Sequence, residues 1–348
     1  MTALTDSRPW RWTARGLGLL GFSGRTLVIA VPMLWLLVFF LVPFFVLGRI
    51  SLAEPILARP PYTPLFDRAP DGSLEILANL DNYRLLWADT LYRNAYLSSI
   101  RIAFVSTVFA LLIGYPIAYY IARSPEPRRT LLLLLVILPF WTSFLLRVYA
   151  WMGFLQREGL INSFLMWVGI IDGPMVMMQT TFAVQLGIVY TYLPFMILPL
   201  YANLTKLDEA FFEASADLGA SPIVTFMTVT LPLSVPGIIA GCMLVFIPAI
   251  GEYVIPALLG GPDTLMIGRI LWDEFFSARD WPMAAAVAIV MLFLVVAPVM
   301  WLQDWLDRRG LNRGRRVGRC RSSRCWGSCS CMRPSWRWWC FPSTKAGW

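Results

Sequence analysis

Six long apolar stretches are spaced along the chain, and polar segments separate them. A helix that crosses the hydrocarbon core of a bilayer needs about 20 predominantly apolar residues. Each stretch is close to or above that length, and each carries at most one charged side chain in its interior. The pattern therefore predicts six transmembrane helices, over residues 27–47, 102–121, 131–154, 182–201, 233–259 and 284–302.

These spans predict an all-α, polytopic membrane protein with three regions. A leader covers residues 1–26, the six-helix membrane domain covers residues 27–303, and a basic tail covers residues 304–348. A long proline-rich segment, 51–96, is predicted to be a loop on the outer side. The fourth and fifth spans are joined by a loop over residues 203–232, which is predicted to face the cytoplasm.

Prolines and glycines interrupt several of the spans, most densely the fifth. Inside a bilayer, backbone groups freed by a break are tolerated only where protein or a water-filled cavity satisfies them. Transporters build their pathways from such broken helices. The fifth span is therefore predicted to be broken and to line a pathway. Its breakers are Pro236, Gly237, Gly241, Pro248, Gly251 and Pro256.

The distribution of basic residues predicts how the chain crosses the membrane. Loops rich in Lys and Arg remain on the cytoplasmic side. With six alternating helices, the leader, the loops after the second and fourth spans and the tail share one basic face. Both termini are therefore predicted to be cytoplasmic. The basic residues of this face are Arg8, Arg11, Arg15, Arg25, Arg123, Arg128, Arg129, Lys206, Arg308, Arg309, Arg313, Arg315 and Arg316.

Composition removes several classes of function. The chain is 58% hydrophobic and 14% charged, whereas soluble domains carry about 25% charged residues. It contains no histidine, no nucleophile elbow and no pair of carboxylates within a span, so we expect neither an enzyme nor a metal site. The net charge of +8 follows from the basic face and the tail. We therefore expect the lipid bilayer, and not nucleic acid, as a partner.

The loop between the fourth and fifth spans carries the most specific pattern in the chain. Asp208 precedes a short helix whose early turns contain acids, where the helix dipole favours them. Gly219 suits the left-handed end of that helix, and Ser221 suits the start of a second one. Leu231-Pro232 is expected to end the second helix. The loop is thus predicted to be a pair of short helices.

This loop resembles the EAA motif of ABC-importer permeases. In that motif E-A-A is followed by G after three residues and by I-x-L-P after nine more. Here Ser215 replaces the second Ala and Val229 replaces the Ile. The positions that we assign to coupling with an ATPase are Glu213, Ala214, Ser215, Gly219, Leu231 and Pro232.

The resemblance implies the architecture of a type I ABC-importer permease, in which this loop docks on a separate ATP-binding subunit. It implies three kinds of partner: a homodimeric ATP-binding subunit, a second permease subunit and a periplasmic substrate-binding protein. The chain contains no Walker A sequence. ATP and Mg are therefore expected in the partner, and no cofactor is expected in this chain.

Further fragments narrow the resemblance to one branch of these permeases. TSFLLRVYAW at 142–151 and IGEYVIP at 250–256 resemble the first permease of the spermidine/putrescine (polyamine) importers. This resemblance implies a polyamine as the transported solute. Two alternatives are an ABC importer for another small solute, such as ferric iron, and a stand-alone secondary transporter.

Glu252 lies within the predicted fifth span, where an ionisable group is costly and faces the bundle interior or water. One hypothesis is that its carboxylate contacts a passing ammonium group in a pathway that aromatic rings also line. The other is that Glu252 pairs with Arg147 while the aromatic residues form an interfacial belt. The candidate pathway residues are Glu252, Tyr253, Trp141, Tyr149 and Arg147.

The last residues of the chain differ in character from the rest. Residues 316–348 contain five Cys, five Trp and no acid. The cysteine spacing is not that of a paired zinc motif. This segment does not resemble the short ending of the family, and we interpret residues 317–348 as a non-native or frameshifted end.

Overall fold

The computed structural model describes residues 24–68, 74–76, 78–262 and 264–308. The predicted leader, 1–26, and the predicted tail, 304–348, lie mostly outside the described residues. Within these ranges the protein is helical except for one short antiparallel hairpin. The elements are α1 (Gly24–Ser51), β1 (Phe66–Arg68), β2 (Leu74–Ile76), α2 (Asp81–Ala88), α3 (Thr90–Arg123), α4 (Arg128–Ile137), α5 (Phe144–Leu155), α6 (Leu160–Trp167), α7 (Thr181–Leu204), α8 (Ala210–Asp217), α9 (Pro222–Thr225), α10 (Leu231–Ile250), α11 (Val254–Leu259), α12 (Ile267–Trp272) and α13 (Trp281–Arg308).

The described helices confirm an all-α membrane architecture. Five of them are long and apolar enough to cross a membrane, and a bent pair raises the number to six when it is counted as one span. The predicted loop over 51–96 is partly wrong, because α2 and the first turns of α3 lie inside it. Helix α3 begins at Thr90 because Asp89 caps it, accepting a hydrogen bond from the backbone N–H of Leu91.

The third predicted span is not one continuous helix. Arg128–Trp141 and Phe144–Trp167 meet at an angle of 91°. Pro139 lies in the last turn before the break, and its carbonyl accepts hydrogen bonds from the backbone N–H and the hydroxyl of Thr142. Because Thr142 and Ser143 then adopt non-helical conformations, the chain changes direction there.

Three helices, α3, α7 and α10, form the packed centre of the membrane domain. Close approach depends on small residues, since Gly114 of α3 and Gly241 of α10 both face Met196 of α7. Met196 and its neighbours Ile197 and Leu200 are fully buried in this centre. Helix α1, in contrast, has no buried residue along its apolar stretch, and its large side chains are exposed on this subunit.

The predicted break in the fifth span is present, and it shortens that span. Helix α10 ends at Ile250, and residues 251–253 separate it from α11, which begins at Val254. The predicted span over 233–259 is therefore two helices. Glu252 lies in the break between them. A span drawn from hydropathy alone would place it within a helix.

The backbone of this break packs directly against α12. A Cβ at Gly268 would lie 2.5 Å from the carbonyl oxygen of Gly251 and 2.6 Å from that of Glu252. Only a residue without a side chain fits this approach. The carbonyls belong to backbone, so they cannot move aside without displacing the break.

We expect Gly268→Ala to destabilise the protein by about 1–3 kcal/mol, because overpacking against a backbone forces a shift of the chain. The measurement is the thermal unfolding of the purified protein in detergent, where the melting temperature should fall. Gly153→Ala is the matched control, because a Cβ at Gly153 in α5 meets nothing within 4 Å. Equal melting temperatures for the two variants would contradict the packing argument.

Candidate functional site

The predicted pair of helices in the loop between the fourth and fifth spans is present as α8 and α9. The carboxylate of Asp208 accepts a hydrogen bond from the backbone N–H of Ala210 at 3.1 Å, so Asp208 begins α8 as predicted. The hydroxyl of Ser221 accepts from the backbone N–H of Val224 at 3.4 Å, and it caps α9. Both helices begin where the sequence supplies a short polar side chain.

Gly219 forms the turn between the two helices. Its φ is +77°, in the left-handed region that a residue with a Cβ rarely adopts. The backbone N–H of Gly219 donates to the carbonyl of Ala216, and that of Ala220 donates to the carbonyl of Ser215, which is the Schellman arrangement. A Cβ at Gly219 would meet no atom within 4 Å. The glycine is therefore required by backbone conformation and not by space.

Ser215 joins the two helices of the loop. Its side chain is buried, and its hydroxyl hydrogen-bonds with the hydroxyl of Thr225 at 2.7 Å. An alanine at this position has no hydroxyl to form that bond. The departure from the E-A-A pattern thus has a structural use, because it holds α8 and α9 together.

The other face of the loop is exposed and largely apolar. Leu218 is 88% exposed and Ile223 is 74% exposed, and Met227 lies beside them with its side chain mostly uncovered. Glu213 and Ala214 lie on the exposed part of α8. The carboxylate of Glu213 has no ion pair or hydrogen bond among the described residues. This surface offers apolar contacts and the free charge of Glu213 to another molecule.

Leu231-Pro232 does not end the second helix, so that prediction is wrong. A π-helical stretch, Phe226–Thr230, follows α9 and passes directly into α10. The backbone N–H of Leu231 donates to the carbonyl of Phe226, five residues earlier. The wider turn gives the ring of Pro232 space that a regular helix would deny it. The loop and the fifth span are consequently one continuous helical segment.

The second region of interest is the break that contains Glu252. This residue is 8% exposed, and three donors surround its carboxylate. The hydroxyl of Tyr192 donates to one oxygen at 2.5 Å. The backbone N–H groups of Val254 and Ile255 donate to the other oxygen at 3.1 Å and 3.5 Å. Glu252 therefore caps α11 and connects it to α7.

Glu252 has no positively charged partner among the described residues. The ion pairs Arg84–Asp81 and Arg129–Glu126 do not include it. The pair with Arg147 considered above is not formed. The guanidinium of Arg147 instead lies 5.3 Å from the ring centre of Phe140 and 5.9 Å from that of Phe144, and its Nε is buried without a hydrogen-bond partner.

The structure brings only some of the candidate pathway residues together. Tyr253, adjacent to Glu252, stacks on Trp272 with ring centres 4.4 Å apart. Trp141 is 78% exposed and Tyr149 is 56% exposed on this subunit. The described residues include no ring contact or side-chain hydrogen bond that links these two to Glu252.

Sequence reasoning missed two residues of this region, Tyr192 and Trp272. Tyr192 was one of many aromatic residues on the predicted spans, and no local signal distinguished it from the others. Trp272 lies in α12, in a segment without a recognisable motif. Tyr192 contacts Glu252, which is 60 positions away in the chain. Trp272 stacks on Tyr253, which lies outside α12.

Comparison with known proteins agrees with this architecture. Residues 110–311 match the family described as binding-protein-dependent transport system inner membrane component. The spermidine/putrescine transport system permease protein PotB of Escherichia coli (strain K12) is 43% identical over 252 residues, which cover 72% of this chain and 90% of that protein. The protein of the same name from Haemophilus influenzae is 39% identical over 273 residues, covering 78% and 90%.

A solved structure gives the same fold. The crystal structure of a bacterial ABC transporter involved in the import of the acidic polysaccharide alginate matches with a TM-score of 0.63 and 16% sequence identity, over 87% of this chain and 99% of that chain. At this identity the match shows the fold alone. It confirms the predicted permease architecture, and the relatives confirm the resemblance that the loop motif and the fragments indicated. The chain belongs to the family of inner membrane components of binding-protein-dependent transport systems.

Proposed function

We propose that this protein is the permease subunit of an ATP-driven importer that carries polyamines, putrescine or spermidine, across the bacterial inner membrane. The observation that carries the proposal is the buried carboxylate of Glu252 at the break of a membrane helix. The names of the relatives at 43% and 39% identity supply the class of solute. A polyamine carries ammonium groups, which are the natural partners of such a carboxylate.

The surroundings of Glu252 suit a transient cation. A buried charge without a partner is costly, and three hydrogen bonds reduce that cost without neutralising the carboxylate. A passing ammonium would supply the missing positive charge. Tyr253 follows Glu252 directly in the chain, and its ring stacks on that of Trp272. Aromatic faces attract desolvated ammonium groups. We assign Glu252 and Tyr253 to the solute pathway.

Trp141, Tyr149 and Arg147 occupy the proposed pathway less directly. They belong to the bent third span, and the rings of Trp141 and Tyr149 are uncovered on this subunit, whereas Arg147 is partly buried. In an importer with a second permease subunit, that subunit would cover part of this surface. We propose that the two rings line the pathway only in the complete assembly.

The loop of α8 and α9 is proposed to bind a separate ATP-binding subunit. Its apolar face around Leu218 and Ile223 is exposed, and Glu213 offers a charge to a basic residue of that partner. ATP and Mg would be bound there, as a homodimer of the partner closes, and this chain would need no cofactor. Leu231 and Pro232 continue the loop into the fifth span, which gives the motion a direct route into the membrane.

The remaining parts of the proposal concern orientation and partners. With the loop in the cytoplasm, both termini lie on the cytoplasmic side, in accordance with the basic residues of that face. The segment 51–96 then faces the periplasm, where a substrate-binding protein would deliver the polyamine. The proposed domain limits are 1–26 for the leader, 27–303 for the membrane domain and 304–348 for the tail.

Transport by vesicles tests the proposed function. The permease is reconstituted with its ATP-binding subunit, the second permease and the binding protein, and uptake of radiolabelled putrescine is measured with and without ATP. We expect uptake to require ATP and to be inhibited by unlabelled putrescine or spermidine but not by ferric ion. Uptake without ATP would indicate a secondary transporter, and inhibition by ferric ion alone would indicate the other cargo.

Replacing Glu252 by glutamine tests the solute contact. The single oxygen of a glutamine still accepts the hydrogen bonds from α11, and its amide N–H can donate to the hydroxyl of Tyr192, so the fold is retained while the negative charge is lost. We expect putrescine uptake to fall by about tenfold, which corresponds to about 1.4 kcal/mol. Glu158→Gln, at an exposed position, is the control and should transport normally. Normal uptake by Glu252→Gln would remove Glu252 from the pathway.

Gly219→Val tests the loop. A β-branched residue at φ +77° is strained by about 1–3 kcal/mol, so the turn between α8 and α9 should distort and uptake should be abolished. Gly219→Asn is the matched variant, because asparagine tolerates the left-handed conformation, and it should retain most activity. Immunoblots of membrane fractions establish that each variant reaches the membrane. Full transport by Gly219→Val would contradict a coupling role.

A further inference from the structure

We propose that movement of the loop of α8 and α9 is transmitted to α3 as well as to α10, through contacts with a stripe of three residues on α3. The stripe is Tyr115, Tyr119 and Arg123, spaced by four residues and therefore on one face of the helix. This inference rests on the proposed function, because it assumes that an ATP-binding subunit moves the loop. It adds a second connection between that loop and the break that contains Glu252.

Arg123 holds α8. It is the last residue of α3, and its guanidinium carbon lies 3.7 Å from the ring centre of Phe212. The same group lies 5.7 Å from the ring of Tyr119. Arg123 forms no ion pair among the described residues. Its planar guanidinium contacts the two aromatic rings instead. Phe212 follows directly after the exposed Phe211, and it turns toward the membrane domain.

Phe226 holds the segment after α9. Its ring meets Tyr115 and Tyr119 edge-to-face, with centres 5.7 Å and 5.9 Å apart. The hydroxyl of Ser234 donates to the carbonyl of Leu231, so the hydroxyl of Tyr115, 3.0 Å away, donates to Ser234. Tyr115 therefore contacts both the π-helical stretch and α10.

The loop acts on this stripe as one body. The hydrogen bond between Ser215 and Thr225 ties α8, which carries Phe212, to α9, which leads into Phe226. A displacement of the exposed face is thus passed to both contacts at once. Neither contact requires α10 as an intermediary.

The far ends of α3 and α10 meet at the same place. Helix α10 ends at Ile250, two residues before Glu252. In α3, the hydroxyl of Ser99 accepts a hydrogen bond from the backbone N–H of Ile267 at 2.8 Å. The next residue, Gly268, packs against the carbonyls of Gly251 and Glu252. A movement of the loop therefore reaches Glu252 from two sides, through α10 and through α3.

This arrangement predicts which property fails when the stripe is lost. The exposed face of the loop is unchanged, so the ATP-binding subunit still docks and still hydrolyses ATP. Only α10 then follows the loop, and the two sides of the break at Glu252 lose their common movement. The number of polyamine molecules carried per ATP should fall while hydrolysis continues.

The test uses the complete importer in vesicles, with putrescine uptake and ATP hydrolysis measured in the same preparation. For Phe226→Leu we expect uptake per ATP to fall by about fivefold or more, with hydrolysis changed by less than about twofold. Phe104→Leu is the matched control, because it makes the same substitution in α3, the helix that carries the stripe. Phe104 is exposed and has no ring contact among the described residues. An unchanged ratio in Phe226→Leu would overturn the proposal, and α10 alone would carry the movement.

A second set of variants decides the matter if Phe226→Leu fails to assemble. Arg123 lies at the exposed end of α3, and Phe212 lies on α8. We expect Arg123→Gln and Phe212→Leu each to lower uptake per ATP. Because they remove the same contact, the double variant should lose no more than the larger single loss. Additive losses, or none, would overturn the proposal. The unaltered importer distinguishes failure of this inference from failure of the proposed function. If it does not take up putrescine with ATP, the proposed function itself is contradicted.

Discussion

The absence of water in the bilayer core is the constraint on which this structure depends. Every backbone donor and acceptor within the core needs a partner in the protein, and a break in a helix leaves several without one. At the end of α10 the carboxylate of Glu252 supplies acceptors for the first N–H groups of α11. The hydroxyl of Tyr192 adds the bond to α7. The side chain that makes the break possible is thus also the buried charged group that we propose meets the solute, so structure and the proposed transport place their demands on one residue.

The loop that we propose binds the ATP-binding subunit follows the opposite principle. It has water on one side, so its apolar residues are free to remain uncovered for a partner, while its inner side is fixed by side-chain contacts. Gly219, Ser215 and the cap residues shape it locally. The continuous passage into α10 and the aromatic contacts with α3 then connect it to the membrane domain. A firm inner side and an uncovered outer side are what a transmitting element requires.

Local features of this fold could be predicted from sequence, and long-range ones could not. Asp208, Gly219 and Ser221 act on groups within three residues of themselves, so their types and spacing were sufficient to predict two short helices. The partner of Glu252 lies 60 positions away, and no pattern near Tyr192 indicates it. Pro232 shows a different limit, because its effect depends on whether the preceding turn is α- or π-helical. The six spans were countable from hydropathy, whereas the 91° bend in the third depends on how Thr142 satisfies the carbonyl of Pro139.

That bend has a consequence for how the third span crosses the membrane. The first limb of the third span, Arg128–Trp141, consists of a 10-residue α-helix and a 4-residue 3-10 helix. It rises only about 23 Å, at about 1.5 Å and 2.0 Å per residue respectively. A hydrocarbon core is about 30 Å thick, so the limb alone does not cross it. The second limb, Phe144–Trp167, leaves the first at 91°, so the third span reaches across the core only through its two limbs together.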